Sequence, residues 1–331
     1  MAVLPKVQPK AWLERLRARA AEAKPESGWT PSQGLAAVVR KEFADNVSGW
    51  RMVILVLLLL VTGVGSLYTA AQTIRTVVEA TEAIPNFVFL RLFTGGSAQL
   101  PPLTSFMTFL APLLGIALGF DAICGEQNRR TLSRILAQPI HRDAVINGKF
   151  LAGLLSIALT FAALLLGVGG LGLLMLGVPP TGDELLRLVA YGVLTIVYVA
   201  FWLALAILFS VVFQNAATSA LASIAVWLFF SVFWDMVVGL AAGQDQIGLA
   251  IWLSRLSPGY LYSEAMVTLL TPTVRTLGPV TLEQVLGALE GVLPVGQSLL
   301  LIWPQAVGLV ALTAICFAIS YILFMRREIR A

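Results

Sequence analysis

MVILVLLLLVTGVGSLYTAA, residues 52–71, runs for twenty residues without a charge. At about 1.5 Å of rise per residue, a helix of this length covers roughly 30 Å, the hydrocarbon thickness of a bilayer. Working outward, five further apolar stretches follow, at about 103–123, 150–178, 185–213, 218–242 and 299–325. Composition agrees: 58% of the residues are hydrophobic and 12% charged, with a mean hydropathy of +0.86, against about 25% charged in a soluble domain. Lipid cannot hydrogen-bond a peptide group, so only helices and closed barrels cross it, and unbroken apolar runs select helices. The expected fold is all-α and polytopic, with six transmembrane helices in one membrane domain, residues 51–331. No fixed-period repeat divides it.

Residues 1–50 precede that domain. KAWLERLRARAAEAK, Lys10 to Lys24, sets Trp12, Leu13 and Leu16 on one side and Arg15, Arg17 and Arg19 largely elsewhere, the pattern of an amphipathic helix lying on the inner leaflet. A link from Pro25 to Pro31 follows, and Thr30 with Gln33 fits a capping box opening a second helix through about Trp50. The first apolar run starts too late and is too long for a signal peptide, so the spans themselves are expected to direct insertion.

Basic residues orient the chain, because translocating them is disfavoured. With a cytoplasmic N-terminus, seventeen of the 22 Lys and Arg fall on inner segments; Arg75, Arg91, Arg187, Arg255 and Arg275 fall outside. Both termini are therefore placed in the cytoplasm of a plasma-membrane protein. The net charge of +4 does not suggest nucleic acid, since the basic residues sit at span ends without interleaved stacking aromatics. Two outer segments are long, 72–102 and 243–298. In the second, Leu282 to Leu293 carries a helical apolar stripe expected to cap the outer mouth. Thr181 and Glu184 form a further capping box at the start of span four.

The patterned inner loop is EQNRRTLSRILAQPIHRDAVINGK, Glu126 to Lys149. Leu132, Ile135 and Leu136 share one side of a short helix, Arg129, Arg130 and Arg134 lie mainly on others, and Pro139 stops it. Such a helix at a membrane face suits docking to a soluble partner. A topology signal touching lipid headgroups would need the charges but neither the apolar triad nor the Pro.

This loop resembles that of the ABC-2 type permease family: an acidic residue, Thr-Leu, an apolar pair, Pro, a short step to Arg, then Gly-Lys. Here these are Glu126, Thr131 and Leu132, Ile135 and Leu136, Pro139, Arg142, then Gly148 and Lys149. The likeness extends to the pre-span helix with Arg40, Lys41 and Glu42, the Leu-Ser-Pro turn at Leu256 to Pro258 and the basic C-terminal end, while His141 departs from the family's usual small polar residue. The resemblance implies a permease that pairs with a second copy or a homologue and with two ATP-binding subunits, which hold the ATP and Mg, to move a substrate outward. It makes the loop a coupling helix, with Glu126, Arg129, Arg130, Thr131, Leu132, Ile135, Leu136, Pro139, Arg142 and Lys149 at the ATPase contact and Arg40, Lys41 and Glu42 supporting it. For Glu126 alone, an ion pair with Arg129 or Arg130 is an equal alternative.

Other signals carry less. Gly167 to Gly172 reads G-V-G-G-L-G and formally matches a dinucleotide fingerprint, but it lies inside an apolar run where no strand meets a helix, so close helix packing or local bending is expected. No G-x-x-x-x-G-K-[ST] sequence occurs, one His excludes H-E-x-x-H, and neither Cys124 nor Cys316 has metal-ligand spacing, so no ATPase activity, metal or cofactor is expected in this chain. Asp121 and Asp235 are candidate contacts on a translocation path. Asp235 lies 17 residues beyond Thr218, about 25 Å along the helix, where an outer-interface position is the simpler reading. Asp121 sits near the inner end of span two, where a link to Arg129 or Arg130 is equally open. The alternative function is a membrane scaffold or sensor governed by an associated ATPase. An ion-driven transporter would want paired intramembrane charges, which the spans lack.

Overall fold

The computed structural model describes residues 31–81, 87–97, 100–131, 141–242, 246–272 and 293–326. Among these there is no strand, and six helices are long and apolar enough to cross a membrane. The end of the bundle that the basic residues mark is called the inner end below. Helix α1 (Pro31–Ser48) precedes α2 (Trp50–Thr81), the first span, and short α3 (Val88–Thr94) follows it. The second span is α4 (Leu103–Gly119) continued by α5 (Cys124–Asn128). Spans three and four are α6 (Arg142–Leu176) and α7 (Gly182–Val212). Span five joins α8 (Ala216–Leu228), a π-helical turn at Phe229–Phe233 and α9 (Trp234–Ala242). Then α10 (Ile247–Ser254) and α11 (Pro258–Leu270) lead to the sixth span, α12 (Val295–Arg326).

Each span outruns its apolar stretch. Helix α6 begins eight residues before Phe150, because Asp143 and the polar first turns stay helical beyond the hydrocarbon layer. The box at Thr181 forms as expected: its hydroxyl accepts from the Glu184 N–H at 3.3 Å, while the Glu184 carboxylate accepts from the Thr181 N–H at 2.8 Å. The expected helices at Lys10–Lys24 and Leu282–Leu293 lie outside the described residues, apart from Leu293 itself.

Helix α7 is the hub, packed against α12, α4, α6, α11 and α8. Two glycines seat α4 on it. A Cβ at Gly115 would stand 2.6 Å from the Val199 carbonyl oxygen, and one at Gly119 would stand 2.8 Å from that of Leu203. This Gly-x-x-x-Gly spacing lets two backbones touch where lipid provides no hydrophobic drive for association. Where α4 ends, the Ser210 hydroxyl accepts from the N–H groups of Ile123 (2.9 Å) and Cys124 (3.1 Å), satisfying donors the helix break frees. In span five, the rings of Phe229, Phe230 and Trp234 gather at centroid separations of 5.3–5.7 Å around the π turn.

The long segment after span five folds back into the bundle. Ser257 caps α11, Pro258 opens it, and the helix buries Leu261, Tyr262 and Leu269. Tyr262 stacks on Tyr198 at 4.3 Å and its hydroxyl meets the Thr195 hydroxyl at 2.9 Å. Within α11, the buried Glu264 accepts from Arg255 (2.9 Å) and from Gln305 of α12 (3.0 Å). One arginine then locks the outer end. Arg187 is fully buried, bonds Asp183 at 2.8 Å, and donates to the carbonyls of Leu269 and Leu293 and to the Ser298 hydroxyl, joining α7, α11 and α12.

Candidate functional site

The site gathers at the inner end, where α1 lies along α6. The contact is built on a glycine. A Cβ at Gly148 would stand 2.6 Å from a methyl of Val38, so only glycine admits α1 at this distance. One turn beyond Val38 along α1 comes Glu42, and one residue beyond Gly148 comes Lys149, so the close approach brings the two together.

Lys149 is nearly sealed from solvent, with 5% of its side chain exposed, and its ammonium is bracketed by two carboxylates: Glu126 Oε1 at 2.7 Å and Glu42 Oε2 at 3.0 Å. A buried ammonium is costly unless paired and hydrogen-bonded, and these partners supply both. They come from different elements. Glu126 belongs to α5, at the mouth of the patterned loop, Glu42 to the helix before span one, and Lys149 to the start of span three. Lys41 adds an exposed pair, 2.9 Å to Glu42 and 3.4 Å to Asp45. For Glu42, burial pushes the carboxyl pKa up, but Lys149 and Lys41 outweigh it and hold the group below its ordinary 4.5.

Beside this triad, Arg51 Nη1 meets Asp121 Oδ2 at 2.6 Å and its guanidinium lies 4.9 Å from the centre of the Phe120 ring, tying span one to span two. Lys41, Glu42, Arg51, Asp121, Glu126 and Lys149 share a polar pocket of about 460 Å³. It is a cleft of balanced charge between α1 and the first three spans.

The sequence-derived residues sort accordingly. Glu42, Lys41, Glu126 and Lys149 converge, and Arg129 lines the same pocket. Glu126 bonds Lys149 in place of the Arg129 or Arg130 partner that i,i+3 and i,i+4 spacing offered, and Asp121 bonds Arg51 in place of the same two arginines. Thr131 turns back onto the Glu126 carbonyl at 2.9 Å, and Arg130 before it takes a left-handed backbone, φ 55°, that re-aims the chain out of α5. Arg142 starts α6 with its guanidinium 5.8 Å from the centre of the Phe324 ring, touching the inner end of span six. Arg40 is exposed on α1, away from the triad. Asp235 lies in α9, exposed beyond the π turn, and does not join the cluster. Leu132, Ile135, Leu136 and Pro139 lie outside the described residues. Arg51 and Gly148 were the residues that sequence reasoning undervalued: Gly148 stood in the Gly-Lys pair, but nothing local reveals that its partner is Val38.

Among the described residues no cluster of His, Cys, Asp and Glu could hold a metal ion. What the arrangement can do is mechanical: it links a loop, a surface helix and the inner ends of three spans through charge pairs.

Residues 36–329 match the family model described as ABC-2 family transporter protein. Among curated proteins, the chain is 32% identical over 155 residues to a probable ABC transporter permease protein NosY of Pseudomonas aeruginosa, a match covering 47% of this chain and 50% of that protein. It is 40% identical over 77 residues to the protein of the same description from Stutzerimonas stutzeri, covering 23% of this chain and 27% of the relative. The chain thus spans about half the length, or less, of the curated relatives it matches.

Proposed function

We propose that this chain, which belongs to the ABC-2 transporter family, is the permease subunit of an ABC transporter, forming the translocation path while separate ATP-binding subunits supply the work. It is a multi-pass membrane protein with six apolar spans. In the assembly we infer, two ATP-binding subunits, holding ATP and Mg, dock on the inner face of a pair made by this chain and a second copy or homologue. Both termini are cytoplasmic, the membrane is the plasma membrane, and the direction is export. Residues 1–50 serve as inner-face helices to the membrane domain at 51–331.

The observation that carries this reading is Lys149 held between Glu126 and Glu42. An ATPase pressing on the loop from Glu126 to Arg142 displaces α5, and the Lys149 bridge passes that displacement to α6 and α1 together. A sealed ammonium suits such a joint, because parting it from either carboxylate is costly and the three elements therefore move together. Asp121, held by Arg51, belongs to this coupling end. Asp235, exposed near the outer end of span five, is the candidate path contact of the assembled pair.

Replacing Leu132, Ile135 and Leu136 together by Ser tests the docking. Copurification of the partner ATP-binding subunit should be lost while membrane insertion is unchanged. Undiminished association would sink the coupling assignment, and the absence of ATP-dependent substrate movement in vesicles holding the wild-type pair would sink the transport reading.

A further inference from the structure

The glycine run of span three has a use beyond helix packing. Of its glycines only Gly172 is crowded, its Cβ position lying 2.6 Å from Leu92 of α3. Around Gly167 and Gly170 nothing stands within 4 Å of a Cβ, and Gly169 would meet only the Phe89 ring edge at 3.8 Å. Each helix-interior glycine costs about 0.5–1 kcal/mol relative to Ala. No close helix contact uses these three, and two of them, Gly169 and Gly170, lie on one apolar cavity.

The room is a cavity of about 540 Å³ in the outer half of the bundle, between α6 and α7. Phe89, Phe93 and Phe161 line it deeply, all three buried, and Gly169 and Gly170 leave its α6 wall bare, while Gly192 of α7 takes in the Leu165 side chain. At the rim, Leu166, Leu185, Val189 and Val193 are exposed on the flank of the bundle, so the cavity is a groove open sideways to lipid. Its lining runs along α6 from Phe161 to Leu173, about 18 Å of helix, slightly more than half of a ~30 Å hydrocarbon core. That is the depth of one leaflet. A neighbouring helix, roughly 10–12 Å across, is too thick to enter a groove of this volume, whereas a single hydrocarbon chain is not.

We propose that this groove holds one acyl chain of an outer-leaflet phospholipid. The chain lies against the glycine face of α6 and on the Phe89 and Phe93 rings of α3. Since the Phe89 N–H also donates to Glu184 Oε1 at 3.0 Å, a filled groove fastens α3 to spans three and four from both sides.

The test uses the full chain in phosphatidylcholine–phosphatidylethanolamine vesicles doped with a phospholipid carrying a diazirine midway along one acyl chain, with adducts mapped by peptide mass spectrometry after irradiation. Adducts should concentrate between Gly169 and Leu173 and between Leu185 and Val193, above the level at comparably exposed Leu57 and Leu221. Gly170→Leu, which fills open space, should remove most groove adducts, and Gly65→Leu, also with open space at its Cβ, should leave them unchanged. Adducts spread evenly over all exposed spans in the wild type would overturn the proposal without any variant having to fold. So would labelling seen only during ATP-driven turnover with the ATP-binding subunit, which would assign the groove to an acylated cargo.

Discussion

The two ends of the bundle are held by different chemistry. At the inner end, side-chain carboxylates and cations from α1, α2, the turn between α4 and α5, α5 and α6 pair around a polar pocket of about 460 Å³. At the outer end, a single arginine with no exposed surface, Arg187, spends its donors on two main-chain carbonyls, a hydroxyl and Asp183. The Arg51–Asp121 pair, with Arg51 more than half exposed, can exchange a partner for solvent at little cost, whereas Lys149, sealed between its two carboxylates, holds them as a fixed bridge. The buried guanidinium of Arg187 cannot exchange partners either, because the Leu269 and Leu293 carbonyls and the Ser298 hydroxyl it would leave are themselves buried. The inner end thus joins one exchangeable pair to one sealed bridge, while the outer end is sealed around α11 and α12.

Removing Arg187 should break this contrast most severely. Arg187→Met leaves the Leu269 and Leu293 carbonyls unpaired and should cost about 4 kcal/mol, read as a large fall in thermal stability of the detergent-solubilised chain. A variant as stable as the wild type would remove the outer lock. Next, Lys149→Met leaves two carboxylates facing each other near a glycine contact, at a cost of roughly 3 kcal/mol. Its diagnostic is different: ATPase binding should survive while ATP-driven substrate movement is lost, so intact transport would mean that Lys149 is a local tether only.

The smallest effect concerns pH. Because the Glu42 pKa is lowered in the folded protein, its contribution to holding α1 is fully present above the ordinary 4.5 and is lost as pH falls through the lowered value. Hydrogen-exchange protection of α1, corrected for intrinsic rate, should be flat from about pH 8 to 5 and decline only below 4.5, with the step absent in Glu42→Gln. A decline centred near neutrality would show that another group controls the contact.

Sequence reading reached some of these features and missed others for a consistent reason. The Thr181 box was legible because both partners lie within one turn. The Gly-Lys pair at 148–149 was legible as a motif, yet its meaning depends on Val38 and Glu42, more than a hundred residues earlier. Asp121 and Glu126 had plausible neighbours in Arg129 and Arg130, and the folded chain instead pairs them with Arg51 and Lys149. Arg187 looked like one of five basic residues left on the outer side by the charge count, and Gly115 with Gly119 passed unnoticed inside an apolar run. The glycines from 167 to 172 were expected to pack closely or to bend the helix; Gly172 packs against Leu92 and Gly169 lies near Phe89, while Gly167 and Gly170 face open space.

What the amino-acid order alone determined is the number of spans, since hydropathy acts on each stretch independently of its neighbours. Tertiary structure decided which charges become partners and which glycines become contacts or hollows. Those outcomes depend on distances between helices far apart in the chain: Glu42 from Lys149, Arg51 from Asp121, Arg187 from Ser298. In a bilayer, where apolar surface alone does not choose between helix neighbours, close-packed glycines and buried polar pairs make that choice.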